Sequence, residues 1–137
     1  MLQAENAAPY RIAKPLGDYK KLNGLLAALQ GYGYAVEVVS WLAKGETSKQ
    51  FDSAIRKNKR AWLRKYYPAI DLRNVHIVKH GTNKWRVSNY KGGTLFDDES
   101  GNVHAWQRDT SSGKAVRIKD STTLLDALES LIIQELE

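Results

Sequence analysis

Cysteine is missing from this chain, which excludes disulfides, thiolate metal centres and cysteine nucleophiles. Proline is scarce, with three in 137 residues, and methionine occurs once. Apolar runs stay far below the roughly 18 residues that span a bilayer. The segment Met1-Leu2-Gln3-Ala4-Glu5 has neither a basic start nor an apolar stretch, which predicts no signal peptide and a cytoplasmic protein. Histidine is nearly as rare, at three residues. His76 and His80 are four apart on an expected strand, where they span roughly 13 Å, too far to share one ion. No metal site and no cofactor are therefore expected. Also lacking are a Ser–His–Asp order, a phosphate-cradling glycine motif and a dinucleotide fingerprint, since Gly31-Tyr32-Gly33 has none of the rest of that pattern.

What remains has ordinary globular composition, 42% hydrophobic and 26% charged. The net charge of +6 conceals a segregation: Lys44–Lys91 holds 13 basic and 3 acidic residues, and the remainder holds 8 basic and 12 acidic. A local positive field of this kind attracts phosphate backbones, and it also suits an anionic protein partner.

Residues 1–17 read as an arm, interrupted by Pro9, Pro15 and Gly17. Helical spacing begins at Asp18, a candidate N-cap, and carries Tyr19, Leu22, Leu26 and Leu29 on one stripe until Gly31 and Gly33 stop it. A second helix is expected over 34–44. Val36 and Val38 also alternate there, which leaves a strand reading open. Thr47-Ser48-Lys49-Gln50 has the pattern of a capping box and opens a third helix to about Tyr67, closed by Pro68.

After Arg73 the period changes. Residues 75–79 and 84–88 read as a β-hairpin around His80-Gly81-Thr82-Asn83. Further strands are expected at 94–96, 103–107 and 115–118, with turns at 97–102 and 109–113. A helix capped by Asp120 or Ser121 closes the chain, with Leu124, Leu125, Leu128, Leu131, Ile132 and Leu136 on a wide apolar stripe. Helices followed by strands argue for an α+β fold. The expected units are an arm (1–17), a helical part (18–91) and a small antiparallel sheet with a helix (92–137), which could also form one composite domain. Ile133, on the far side of the last helix, suggests a homodimer contact.

On the third helix, Phe51, Ala54, Ile55, Ala61, Trp62 and Tyr66 share one arc, and Lys49, Arg56, Lys57, Arg60 and Arg64 the opposite one. Arg56, Arg60 and Arg64 form an i, i+4, i+8 ridge whose like charges repel by a few tenths of a kcal/mol per pair. No acidic residue follows Asp52 on the helix. Such a ridge suits a polyanion, because arginine makes bidentate contacts to phosphate and guanine. The expected hairpin adds Lys79, Lys84 and Arg86.

Three helices, a basic third segment and a basic hairpin are the element order of winged-helix DNA-binding domains. The stretch from Val39 to Phe51, with a leucine-containing helix ending at Gly45 and a Ser/Thr-capped helix following, resembles the lead-in to a helix-turn-helix. The resemblance covers roughly residues 18–90 and implies a wing at 75–88. It departs at the turn before the recognition helix, where only Lys57-Asn58-Lys59 stands and no glycine occurs. The end of the chain, Lys84–Val87 and Lys114–Leu128, distantly resembles DNA-binding modules in which a three-stranded sheet enters the major groove.

Tyr66, Tyr67 and Tyr90, beside basic residues, are candidates for stacking unpaired bases, whereas Trp62, Trp85 and Trp106 read as packing residues, the last two on a sheet face. Asp97-Asp98-Glu99, with Lys114 or Lys119 nearby, is either a hairpin loop or the divalent-metal cluster of a small nuclease. The expected function is a small non-enzymatic nucleic-acid-binding protein, with DNA expected as the ligand ahead of RNA. Its contacts would be Lys49, Arg56, Lys57, Arg60, Arg64, Lys79, Lys84 and Arg86. The alternative is an interaction module or inhibitor, of phage or mobile-element type, docking on an acidic or nucleic-acid-binding protein.

Overall fold

The computed structural model describes residues 6–12, 15 and 17–137, so part of the expected arm lies outside the described residues. Ten elements follow in order: α1 (Pro9–Ile12), α2 (Tyr19–Gly31), β1 (Val38–Trp41), α3 (Lys49–Tyr66), β2 (Val75–Val78), α4 (Lys84–Val87), β3 (Thr94–Asp97), α5 (Ser100–Asp109), β4 (Lys114–Arg117) and α6 (Ser121–Leu136). A single 3₁₀ turn, Leu72–Asn74, leads into β2. The mixture of helix and strand is the expected one, but every strand pair is parallel. β1 pairs with β2 in the register Val38↔Val75, and β3 with β4 in the register Thr94↔Lys114. Each pair is bridged by a helix, α3 or α5, giving two βαβ units in place of antiparallel hairpins.

Four expectations are corrected. Residues 38–41 form a strand, the open alternative to the helix expected over 34–44, with Val38 opposite the buried Val75 of β2. Residues 84–87 form a helical turn, capped by the Asn83 side chain accepting from the Trp85 N–H at 3.0 Å. The 75–88 hairpin therefore does not exist. Residues 100–109, expected as a turn and a strand, form α5, which buries Val103 and Trp106 at helical spacing. Trp85 and Trp106 thus belong to helices and not to a sheet face. The third helix runs without a break through Asn58, so the turn of a helix-turn-helix is absent and the 75–88 wing with it.

The remaining helices match their signals. Asp18 caps α2 by accepting from the Lys21 N–H, and Asp120 caps α6 by accepting from the Thr123 N–H. Ser48, one residue after Thr47, caps α3 by accepting from the Phe51 N–H at 3.1 Å. Thr47 donates instead to Asp52 at 2.5 Å.

The first core gathers Leu42, Ile55, Tyr67, Ile70, Val75 and Ile77, with Ile55 fully enclosed. The described part of the N-terminal segment packs on it: α1 lies against α3, and Asn58 Nδ2 donates to the Ala7 carbonyl at 2.9 Å. α2 packs on α6, joining the two units, and Lys21–Glu129 adds an ion pair at 2.5 Å. Among the described residues, no helix is long and apolar enough to cross a membrane.

Candidate anion crevice at the strand ends

Parallel strands bring their carboxyl ends to one edge of a sheet, where open α/β sheets keep their ligand crevices. The residues that end β1 and β3, and the segment that leaves β2, meet here through one side chain, Lys84. Its position is set locally. Trp41, the last residue of β1, donates its indole N–H to the Thr82 carbonyl at 2.9 Å and lies against the His80 ring at 4.7 Å. Asn83 caps α4 with one amide atom and donates with the other to Asp109 at the end of α5, at 2.7 Å. Lys84 opens α4 from that fixed point. Its ammonium donates to Asp97 Oδ2 at 2.7 Å and stands 5.4 Å from the centre of the Trp41 ring.

Asp97, the last residue of β3, is one of two buried polar residues among the described residues, and the pair's side chains are only 15% (Lys84) and 5% (Asp97) exposed. Its carboxylate also accepts from the Glu99 N–H at 2.9 Å and from Asn102 Nδ2 at 3.2 Å. Burial alone would raise the carboxyl's pKa. The Lys84 ammonium, the Glu99 N–H and Asn102 outweigh burial and hold it below the ordinary 3.8.

A second lysine reaches the same corner from α3. Lys59 Nζ donates to Ser40 Oγ at 2.8 Å and to the Trp41 carbonyl at 2.5 Å, and lies 5.2 Å from the Tyr10 ring. The Leu42 N–H bonds the Val78 carbonyl, so backbone alternation turns the Trp41 carbonyl away from β2. Lys59 therefore serves the unpaired side of β1. Burial, and then the charge of Lys84, lower its pKa from the ordinary 10.5. Lys59 and Lys84 thus lie near enough for their charges to interact, and Lys84 is the one paired with Asp97.

The predicted basic face fares differently. Arg60 donates to the Leu72 and Val75 carbonyls, both at 3.0 Å, and Arg56 Nε to the Ile77 carbonyl at 3.3 Å. By the same alternation, Val75 and Ile77 point away from β1, so these guanidiniums cap the outer edge of β2. Lys49, Arg56, Lys57, Arg64, Lys79 and Arg86 are exposed, and of the eight predicted contacts only Lys84 belongs to the crevice. Tyr67 is buried, Tyr66 packs edge-on against Tyr19 at 5.1 Å, and Tyr90 is exposed. Asp98, Glu99, Lys114 and Lys119 are exposed while Asp97 is buried, and no group of three metal-ligating side chains occurs among the described residues.

Ser40, Lys59 and Asn102 were not singled out in the sequence. Lys59 carried a signal: at 100° per residue it falls about 20° from Tyr66, at the rim of the apolar arc, where a lysine's stem is buried and its ammonium is drawn to a partner. No family model, curated protein or solved structure matches this chain.

Proposed function

We propose that the protein binds a phosphate-bearing anion, of nucleotide or nucleic-acid type, in the crevice formed by Ser40, Lys59, Lys84 and Asp97. One observation carries this reading: the part-buried Lys59 ammonium is held by neutral partners, Ser40 and the Trp41 carbonyl, close enough to Lys84 to feel its charge, while Lys84 alone is paired with Asp97, so Lys59 brings a positive charge that no carboxylate among the described residues bonds. Each ammonium has three donors. Lys59 spends two, on Ser40 and Trp41, and Lys84 spends one, on Asp97, so donors remain for an incoming oxyanion. A phosphate offsets the excess charge in a place where water screens it poorly. The exposed cations Lys49, Lys57, Arg64, Lys79 and Arg86 raise the local concentration of such ligands.

Titration calorimetry with inorganic phosphate, a 5′-mononucleotide and a short DNA strand tests the proposal, using Lys59→Met and Lys84→Met. Expected is a loss of tenfold or more in either variant, with Arg64→Ala and Lys57→Ala altering only the binding of the DNA strand and its salt slope. Unchanged phosphate affinity in Lys59→Met would sink the reading. A stoichiometric complex with an acidic protein, without affinity for any phosphate, would favour the interaction-module alternative.

A second reading, phosphoester hydrolysis with a divalent cation from solution, is favoured by Asp97, the last residue of β3, paired with Lys84 and followed directly by the exposed Asp98. Phosphate release in Mg²⁺, lost in Asp97→Asn, is the result that would establish it.

A further inference from the structure

We infer that the ligand carries a planar aromatic ring close to its anionic group, and that this ring lies in an apolar cavity adjoining Lys59; the inference rests on the anion-binding reading above. The cavity has a volume of about 370 Å³ and is lined by Tyr10, Val38, Ser40, Lys59, Trp62, Leu63 and Ile77. That volume is at the lower end of small-molecule sites, about 300–1,000 Å³, which suits one ring system and not a long chain.

The lining divides by chemistry. Val38, Leu63 and Ile77 are aliphatic, and Tyr10 and Trp62 present aromatic rings. The charged and hydroxyl groups, Lys59 and Ser40, are hydrogen-bonded to each other at 2.8 Å. Those two also belong to the anion crevice, so cavity and crevice share one wall. A ligand whose anionic group meets Lys59 therefore has an apolar, aromatic-walled space directly beside it. Trp62 is held by Tyr66 and Tyr67, at ring-centre distances of 5.4 and 5.6 Å, so this wall is set before any ligand arrives. Preformed aromatic walls favour flat rings by offset or edge-on contact over flexible chains of equal area.

The experiment compares inorganic phosphate, phenyl phosphate, hexyl phosphate and a 5′-mononucleotide on the intact chain, by calorimetry and by Trp62 fluorescence, with Trp62→Phe assigning the signal. Expected is about 10- to 50-fold tighter binding of phenyl phosphate than of inorganic phosphate, the scale of burying one ring. Hexyl phosphate should fall between them, and Trp62 emission should change with the ring ligands only. Val38→Phe, which fills the cavity, should abolish the gain while leaving inorganic phosphate within twofold. Should that variant fail to fold, Tyr10→Ala, which removes a wall at the periphery, should reduce the same gain. A nucleotide gaining as much as phenyl phosphate identifies the ring as a base, and a gain confined to phenyl phosphate identifies a simple aryl group. Equal affinity for inorganic and phenyl phosphate overturns the inference and leaves the anion site standing. No binding of any of the four overturns both.

Discussion

Lys84 shows how one residue changes meaning between sequence and structure. In the sequence it is one cation among several on an expected wing, and in the fold it is half of a buried ion pair. Removing one partner of such a pair strands the other charge, so Lys84→Met is expected to lower stability by about 3 kcal/mol or more in chemical denaturation. Acid probes the other half. Because the folded state holds the Asp97 carboxyl below 3.8, it gives up that proton more readily than the unfolded chain does. The resulting stability is present above the unfolded value and is lost as pH falls through the folded one. Denaturant midpoints should therefore fall below about pH 4, and Asp97→Asn should remove that part of the acid dependence. Lys59 is likewise held below its ordinary value, 10.5, by burial and then by Lys84, so its ammonium loses its proton sooner than a free lysine's and anion affinity should decline as pH rises through that lowered value. The arginines separate by partner. Arg60→Ala leaves two carbonyls without their donor and should cost about 1–3 kcal/mol, whereas exposed Arg64→Ala should leave the thermal midpoint nearly unchanged.

At the scale of elements, long periodic segments with side-chain caps were legible and short ones were not. α2, α3 and α6 each announce themselves by a cap and an apolar stripe several turns long. Four-residue elements carry too little periodicity to separate a strand from a turn of helix. Trp85 and Val87 alternate as in a strand, but the Asn83 cap commits the backbone to a helical turn. Val103 and Trp106 fit a strand by composition and a helix by their three-residue spacing, and burial of both on one face decides for helix. Asn83→Ala is thus expected to cost about 1 kcal/mol through the lost cap. It should also weaken phosphate binding by displacing Lys84, a loss that a mutation affecting stability alone would not produce; calorimetry on folded protein reads the difference.

For the whole molecule, the βαβ units 38–78 and 94–117 belong to the stretches before and after residues 91–93, which are tied by α2–α6 packing and by the pairs Lys84–Asp97, Asn83–Asp109 and Tyr34–Glu135. The tryptophans sample both units: Trp41 and Trp62 the first, Trp106 the second, and Trp85 the connection between them. Tryptophan fluorescence and far-ultraviolet circular dichroism should therefore follow one coincident unfolding transition. Two separated transitions would show the units folding apart, near the composition break at 91–93. Exposed Ile133 and Leu136 on α6 are the surface on which the proposed homodimer contact would have to form.

The sequence by itself determined the long helices, their caps, the mixed α+β character and the segregation of charge, because each of these follows from neighbours within a few residues along the chain. Tertiary structure alone decided that the strands pair in parallel, that Arg56 and Arg60 serve a sheet edge, that Lys59 reaches Ser40 and that Lys84 reaches Asp97. The physical reason is the crossover helix. In a βαβ unit the partner of each strand lies tens of residues away, Val38 opposite Val75 and Thr94 opposite Lys114. A crevice at the strand ends is accordingly assembled from positions with no spacing between them that local sequence could display.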